Sequence, residues 1–163
     1  MAAAFALPLF LAAACPASAA VKASDVIGRA IDGFVRPAYA SLDARAASLT
    51  KAMRQLCAAP SEQNLEAART DFSATVETWS AAEIIAFGPI KDNNRLERML
   101  YWPDRKSIGL RQVQATLAAK DPSATDPAQL AGKSVAMQGL GALEYVLFGD
   151  GAEVLAKKDE PYR

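Results

Sequence analysis

The chain has 163 residues, 18 Lys and Arg against 18 Asp and Glu, two cysteines and no histidine. At 52% hydrophobic and 22% charged it has the composition of a globular protein, long enough for one domain, or part of a larger one, with a real core. The missing histidine excludes a Ser-His-Asp triad, a Cys-His pair and any zinc site of His₃ or His₂Glu type within this chain. Balanced charge argues against a broad nucleic-acid face, which needs a basic excess.

Residues 1–20 read MAAAFALPLFLAAACPASAA. The apolar run 5–14 is too short to cross about 30 Å of hydrocarbon. Ala17-Ser18-Ala19 supplies a small-x-small cleavage pattern, so residues 1–19 read as a secretory signal peptide that sends the protein to the periplasm or cell envelope. An Ala-rich first helix is the alternative, and Cys15 leaves lipoprotein processing open. Removing the signal leaves Cys57 alone, which is odd in an exported protein. Either it is a buried apolar residue or its partner lies outside this chain.

The body reads as helices. Ile27, Ile31, Phe34, Ala38, Leu42, Leu49, Met53 and Leu56 recur at helical steps. Pro37 interrupts them, so the pattern predicts a short helix from about Ser24, a kink or restart at Arg36-Pro37, and a helix to about Cys57. Ser61 is the expected N-cap of a helix over 62–82, whose apolar side carries Leu65, Ala68, Phe72, Val76 and Trp79. Residues 72–79 also alternate in the manner of a strand, but good helix formers lead into them without a breaker. Gly88-Pro89 opens an irregular stretch to 106 with one helical turn at 94–100. Asp104 is the expected cap of a helix over 105–119. Asp126-Pro127-Ala128-Gln129 fits a capping box with proline at the first helical position. A last helix over 133–148 should end at Gly149. Four or five antiparallel helices with short links make an all-α bundle.

Three polar clusters could carry chemistry. Between Lys91 and Arg111, six basic and three acidic side chains interleave with Tyr101 and Trp102. This is either a solvated loop of weak ion pairs or a recognition surface built from Arg and aromatics. Gln112 and Gln114 sit on one helix, and one of them could face inward. In Gln138-Gly139-Leu140-Gly141-Ala142-Leu143-Glu144, helical spacing puts Glu144 beside Leu140, Leu147 and Phe148. A buried carboxylate needs a compensating cation, and the arginines of the first cluster are the candidates. Two glycines within one turn cost roughly 1 kcal/mol each against alanine. Either close helix approach or room for a ligand would offset that cost.

The blocks Phe34-Val35-Arg36-Pro37, Phe87-Gly88-Pro89, Asn94-Arg95-Leu96-Glu97-Arg98, Tyr101-Trp102-Pro103-Asp104-Arg105-Lys106, Gly109-Leu110-Arg111-Gln112-Val113-Gln114 and Gln138-Gly139-Leu140-Gly141-Ala142-Leu143-Glu144-Tyr145, together with Trp79, resemble the imelysin-like family of bacterial envelope proteins, also known as peptidase family M75. The resemblance covers residues 24–163 and implies the first of two similar helical bundles. It also implies that Cys57 pairs with a cysteine beyond this chain, and that the second bundle is a missing partner. The family's Gly-x-His-x-x-Glu hallmark falls on Gly139 and Glu144, with Gly141 where the histidine belongs. Any iron or other divalent metal would therefore have Glu144 alone as its ligand here, a weak site. The implied role is a non-catalytic envelope binding protein linked to iron uptake. Its ligand would be iron-related or another envelope protein, held by Arg95, Glu97, Trp102, Asp104, Arg105, Gln112, Gln138 and Glu144. The alternatives are an M75-type metallopeptidase and a structural envelope bundle.

Overall fold

The computed structural model describes residues 21–158, so the signal peptide read at 1–19 lies outside the described residues. Every regular element among the described residues is helical. The alternating stretch 72–79 belongs to a helix.

A helical arm opens the chain. α1 (Ala23–Ala30) passes through a wide π turn (Ile31–Val35) into α2 (Arg36–Ala58). The helix thus continues through the expected break. The Arg36 N–H reaches back to the Ile31 carbonyl, and Pro37 enters at the second position of α2, where it need not donate. α3 (Glu62–Ala82) follows a short link. The Ser61 hydroxyl accepts from the Asn64 N–H at 3.2 Å, and Asn64 Nδ2 donates to the Ala59 carbonyl at 2.6 Å.

α2 and α3 form the main helix pair and hold most of the core. Leu42, Leu49 and Leu56, at steps of seven, pack in one cluster with Leu65, Ala68, Phe72 and Trp79. The Trp79 ring is only 2% exposed. Thr75, a buried polar residue of this core, donates to the Asp71 carbonyl at 2.7 Å and reaches Arg45 O at 3.3 Å on α2. The apolar stripe of the arm is not buried along its whole length. Ile27, Ile31 and Phe34 are exposed, because α3 packs chiefly on α2 and leaves α1 without a facing helix. Cys57 is exposed and unpaired among the described residues, not a core residue.

Beyond α3 the chain is irregular to α4 (Arg95–Met99), with Asn93 and Asn94 in the left-handed region. α5 (Ile108–Ala118) begins later than the capping pattern suggested. Lys106 and Ser107 take φ of 65° and 51°, which stops the helix from extending back to Arg105. Asp104 still caps it from a distance: its two carboxylate oxygens accept from the Gly109 and Leu110 N–H groups, each at 3.1 Å.

α6 (Pro127–Ala131) is a short turn capped by Asp126, which accepts from the Ala128 N–H at 2.9 Å. α7 (Gly139–Phe148) is shorter than the predicted 133–148. Val135–Met137 form a separate three-ten turn, and the positive φ of Gly139, 69°, interrupts the helical path. α7 sends Leu140 and Leu147 into the core. Arg69 of α3 closes its C-terminal end: Nε donates to the Leu147 carbonyl at 2.8 Å, and the guanidinium lies 5.3 Å from the Phe148 ring centroid.

Candidate functional site

The two glycines of α7 answer different demands. A Cβ on Gly139 would overlap the Arg98 carbonyl oxygen and lie 2.5 Å from that of Met99. The end of α4 therefore abuts the start of α7 backbone to backbone. At Gly141 the nearest atom to an added Cβ is Leu100 Cδ1, at 3.9 Å. Gly139 is required for packing, whereas Gly141 leaves open space.

That space belongs to a cleft of about 440 Å³. Gly141, Glu144, Tyr145 and Phe148, one face of α7 at steps of three and four, form one wall. Leu110 and Val113 of α5 face them, and Tyr101, Trp102 and Asp104 close the loop side. Trp102 is 78% exposed at the rim. The opposite side of α7 borders a second cavity of about 370 Å³, mostly apolar, reached between α5 and the three-ten turn Ala152–Ala156.

Of the residues singled out in the sequence, the structure brings Trp102, Asp104, Gln138 and Glu144 to this cleft. Arg95, Glu97, Arg105 and Gln112 are not among its walls. Arg95 donates to the Pro89 carbonyl at 2.8 Å and lies 3.6 Å from Asp92. Arg98 is held by the carbonyls of Asn93 and Ala131 and by Gln138 Oε1, the last at 2.9 Å. Gln138 is therefore a brace as well as a wall residue; its Nε2 donates to the Lys133 carbonyl at 2.8 Å. Arg105 is exposed, Glu97 half-buried, and Gln112 has a buried Oε1 with no hydrogen-bond partner among the described residues.

The expectation that Glu144 is buried and paired with an arginine is overturned. Glu144 is exposed and makes no ion pair among the described residues. The inward stripe of α7 centres on Leu140, Leu143 and Leu147, which rotates Glu144 to its edge and onto the cleft. Tyr145 and Phe148 were absent from the sequence-based set. Their spacing of one and four residues from Glu144 was the available signal.

Asp104 is the other carboxylate of the cleft. Partial desolvation pushes its carboxyl up, but the N–H groups of Leu110, Gly109 and Ile108 and the charge of Arg111 outweigh this and hold it below the usual range. Both oxygens are engaged by α5, so its charge serves the helix start. A transition-metal ion needs three or four donors. No group of three or more His, Cys, Asp or Glu side chains stands ready for one among the described residues. Glu144 alone, opposite a position with no side chain, does not fit a metal centre.

A family model for imelysin, Peptidase M75, matches residues 35–163. Iron-regulated protein A of Synechococcus elongatus is 31% identical over 112 residues, which cover 68% of this chain and 32% of that relative. The crystal structure of an imelysin-like protein from Psychrobacter arcticum 273-4 superposes with a TM-score of 0.70 at 26% identity, over 81% of this chain and 42% of that one. The chain thus spans about a third of the curated relative and less than half of the solved one. With the match running from the π turn through the cleft, this helical chain belongs to the imelysin family.

Proposed function

We propose that this protein is an exported envelope member of the imelysin family that recognises a ligand in the Trp102–Glu144 cleft and serves iron acquisition without hydrolysing peptides. The absence of catalysis rests on one observation: position 141 carries no side chain, so Glu144 has no second ligand on its face of α7. A metallopeptidase needs a metal to polarise the scissile carbonyl or to activate water, and one carboxylate does not hold it. Binding rests on the cleft itself, whose volume falls in the range of small-ligand sites and whose walls combine aromatic rings with a few polar groups. The link to iron comes from the family and from a relative named for its regulation by iron. Export rests on the small-residue cleavage pattern at 17–19.

Two measurements test this reading. Fractionation of cells grown with and without iron should place the protein in the envelope fraction, in larger amount when iron is scarce. Incubation with an unfolded protein substrate should give no cleavage, with or without chelator. Chelator-sensitive cleavage would refute the non-catalytic assignment.

A further inference from the structure

The charges and rings of the cleft specify what it recognises. Among the described residues its charged wall side chains are Asp104 and Glu144. Asp104 is spent on the N-terminus of α5, which leaves Glu144 as the wall carboxylate with no ion pair among the described residues. Arg95 donates to the Pro89 carbonyl, Arg98 to the carbonyls of Asn93 and Ala131 and to the wall residue Gln138, and Arg111 to the Lys106 carbonyl, and none of the three lines the cleft itself. The described lining thus offers one carboxylate, that of Glu144, to a cation. Tyr101, Trp102, Tyr145 and Phe148 line the same space. Ring faces attract cations, and a planar, weakly hydrated guanidinium stacks on them better than a compact ammonium or a metal ion. The molecule already does this once, with the Arg69 guanidinium over the Phe148 ring.

We infer that the cleft binds a guanidinium cation, with Glu144 meeting its charge and the rings of Trp102 and Tyr145 bordering its plane. The inference rests on the cleft being the recognition site proposed above, and it names the ligand chemistry. A guanidinium has two sources, a free small molecule or an arginine side chain of an envelope protein. The carboxylate can meet either with two parallel hydrogen bonds.

The test is titration of the purified protein with butylguanidinium, with an acetylated and amidated Gly-Arg-Gly peptide, and with neutral butylurea as the isosteric control. Calorimetry reads affinity. Tryptophan emission gives a local signal, because Trp102 is exposed while Trp79 is buried. Saturable one-to-one binding of a guanidinium probe is expected, with butylurea at least tenfold weaker. Glu144→Gln should weaken binding about tenfold, the loss of one charge-assisted pair. Trp102→Ala should weaken it by several-fold. Both residues are exposed, and unchanged thermal melts verify that the variants fold. Tighter binding of the peptide assigns the guanidinium to a protein partner; tighter binding of butylguanidinium assigns it to a small molecule. Equal affinity for butylurea, no effect of Glu144→Gln, or binding of zinc with none of either guanidinium probe would overturn the inference. Those results would leave the envelope location and the lack of proteolysis standing. Chelator-sensitive cleavage would remove the earlier reading and leave the titration to be judged separately.

Discussion

Substituting alanine at Gly139 and at Gly141 separates packing from open space within two residues of one helix. At Gly139 the backbone is left-handed, which costs a non-glycine residue about 1–2 kcal/mol. The new Cβ would also strike the Arg98 carbonyl oxygen and sit 2.5 Å from that of Met99. Backbone atoms cannot rotate away as a side chain can, so overpacking adds roughly 1–3 kcal/mol. The total of about 2–5 kcal/mol is a large share of the ~5–15 kcal/mol that holds an ordinary domain folded. At Gly141 the added methyl meets Leu100 at an ordinary 3.9 Å, and the helix gains up to about 1 kcal/mol of propensity. Urea unfolding followed by circular dichroism at 222 nm gives both differences directly. Gly139→Ala should melt several degrees lower than the parent, at roughly 2–4 °C per kcal/mol for a chain of this size. Gly141→Ala should melt slightly higher. A neutral Gly139→Ala, or a Gly141→Ala that destabilises by more than 1 kcal/mol, would refute the assignment of the two positions.

Trp79→Ala should cost on the order of 3–5 kcal/mol in the same assay, since the ring is 2% exposed in the main core. Trp79→Phe should cost well under that, because the indole Nε1 has no hydrogen-bond partner among the described residues. The Asp121 carboxyl is lowered from 3.8 to about 2 by the Ser123 hydroxyl, the Lys133 ammonium and the Ser123 N–H. Its folded value lies below its unfolded one, so its stabilisation is present above pH ~4 and is lost as pH falls towards 2. The melting temperature of the parent should therefore fall more steeply between pH 4 and pH 2 than that of Asp121→Asn; parallel curves would contradict the pairing. Gly141→His should create zinc affinity measurable by calorimetry, because the position is open and Glu144 lies one turn away on the same face. No gain in affinity would mean that the two side chains cannot converge.

Periodicity made the long helices legible. Leucines at steps of seven on α2 and the run from Leu65 to Trp79 on α3 carry one apolar stripe each, and both are buried except at Val76, which is exposed while its neighbour Thr75 faces inward. Local punctuation was legible wherever a side chain bonds its own neighbourhood, as at Ser61 and Asp126. Helix starts were less so. Lys106 and Ser107 adopt left-handed angles with nothing in their identity to announce it, because the tertiary path from Asp104 to α5 imposes them. The site was half legible. Composition drew attention to the arginines between 91 and 111, but long side chains choose partners in three dimensions, and Arg98 found a carbonyl 33 residues away. Glu144 does line the cleft, but the sequence misplaced it in depth. Its neighbours Leu140 and Leu147 point inward, and a rotation of a fraction of a turn is enough to bring the carboxylate to water.

The backbone of α7 is fixed at its ends, and this frees its middle. Gly139 is seated against the end of α4, and a Cβ on Gly149 would lie 2.5 Å from the Tyr145 carbonyl oxygen. Arg69 holds the last turn from α3. None of these contacts involves the side chain at 144 or needs one at 141, and both positions face the cleft. Position 141 can therefore exchange an imidazole for a hydrogen without disturbing the helix that carries it. The same exchange removes the donor that a metal would need and widens the cleft beside Glu144. Fold and family membership persist through such a change because they depend on the glycines and leucines of the frame, whereas the chemistry depends on one side chain outside it.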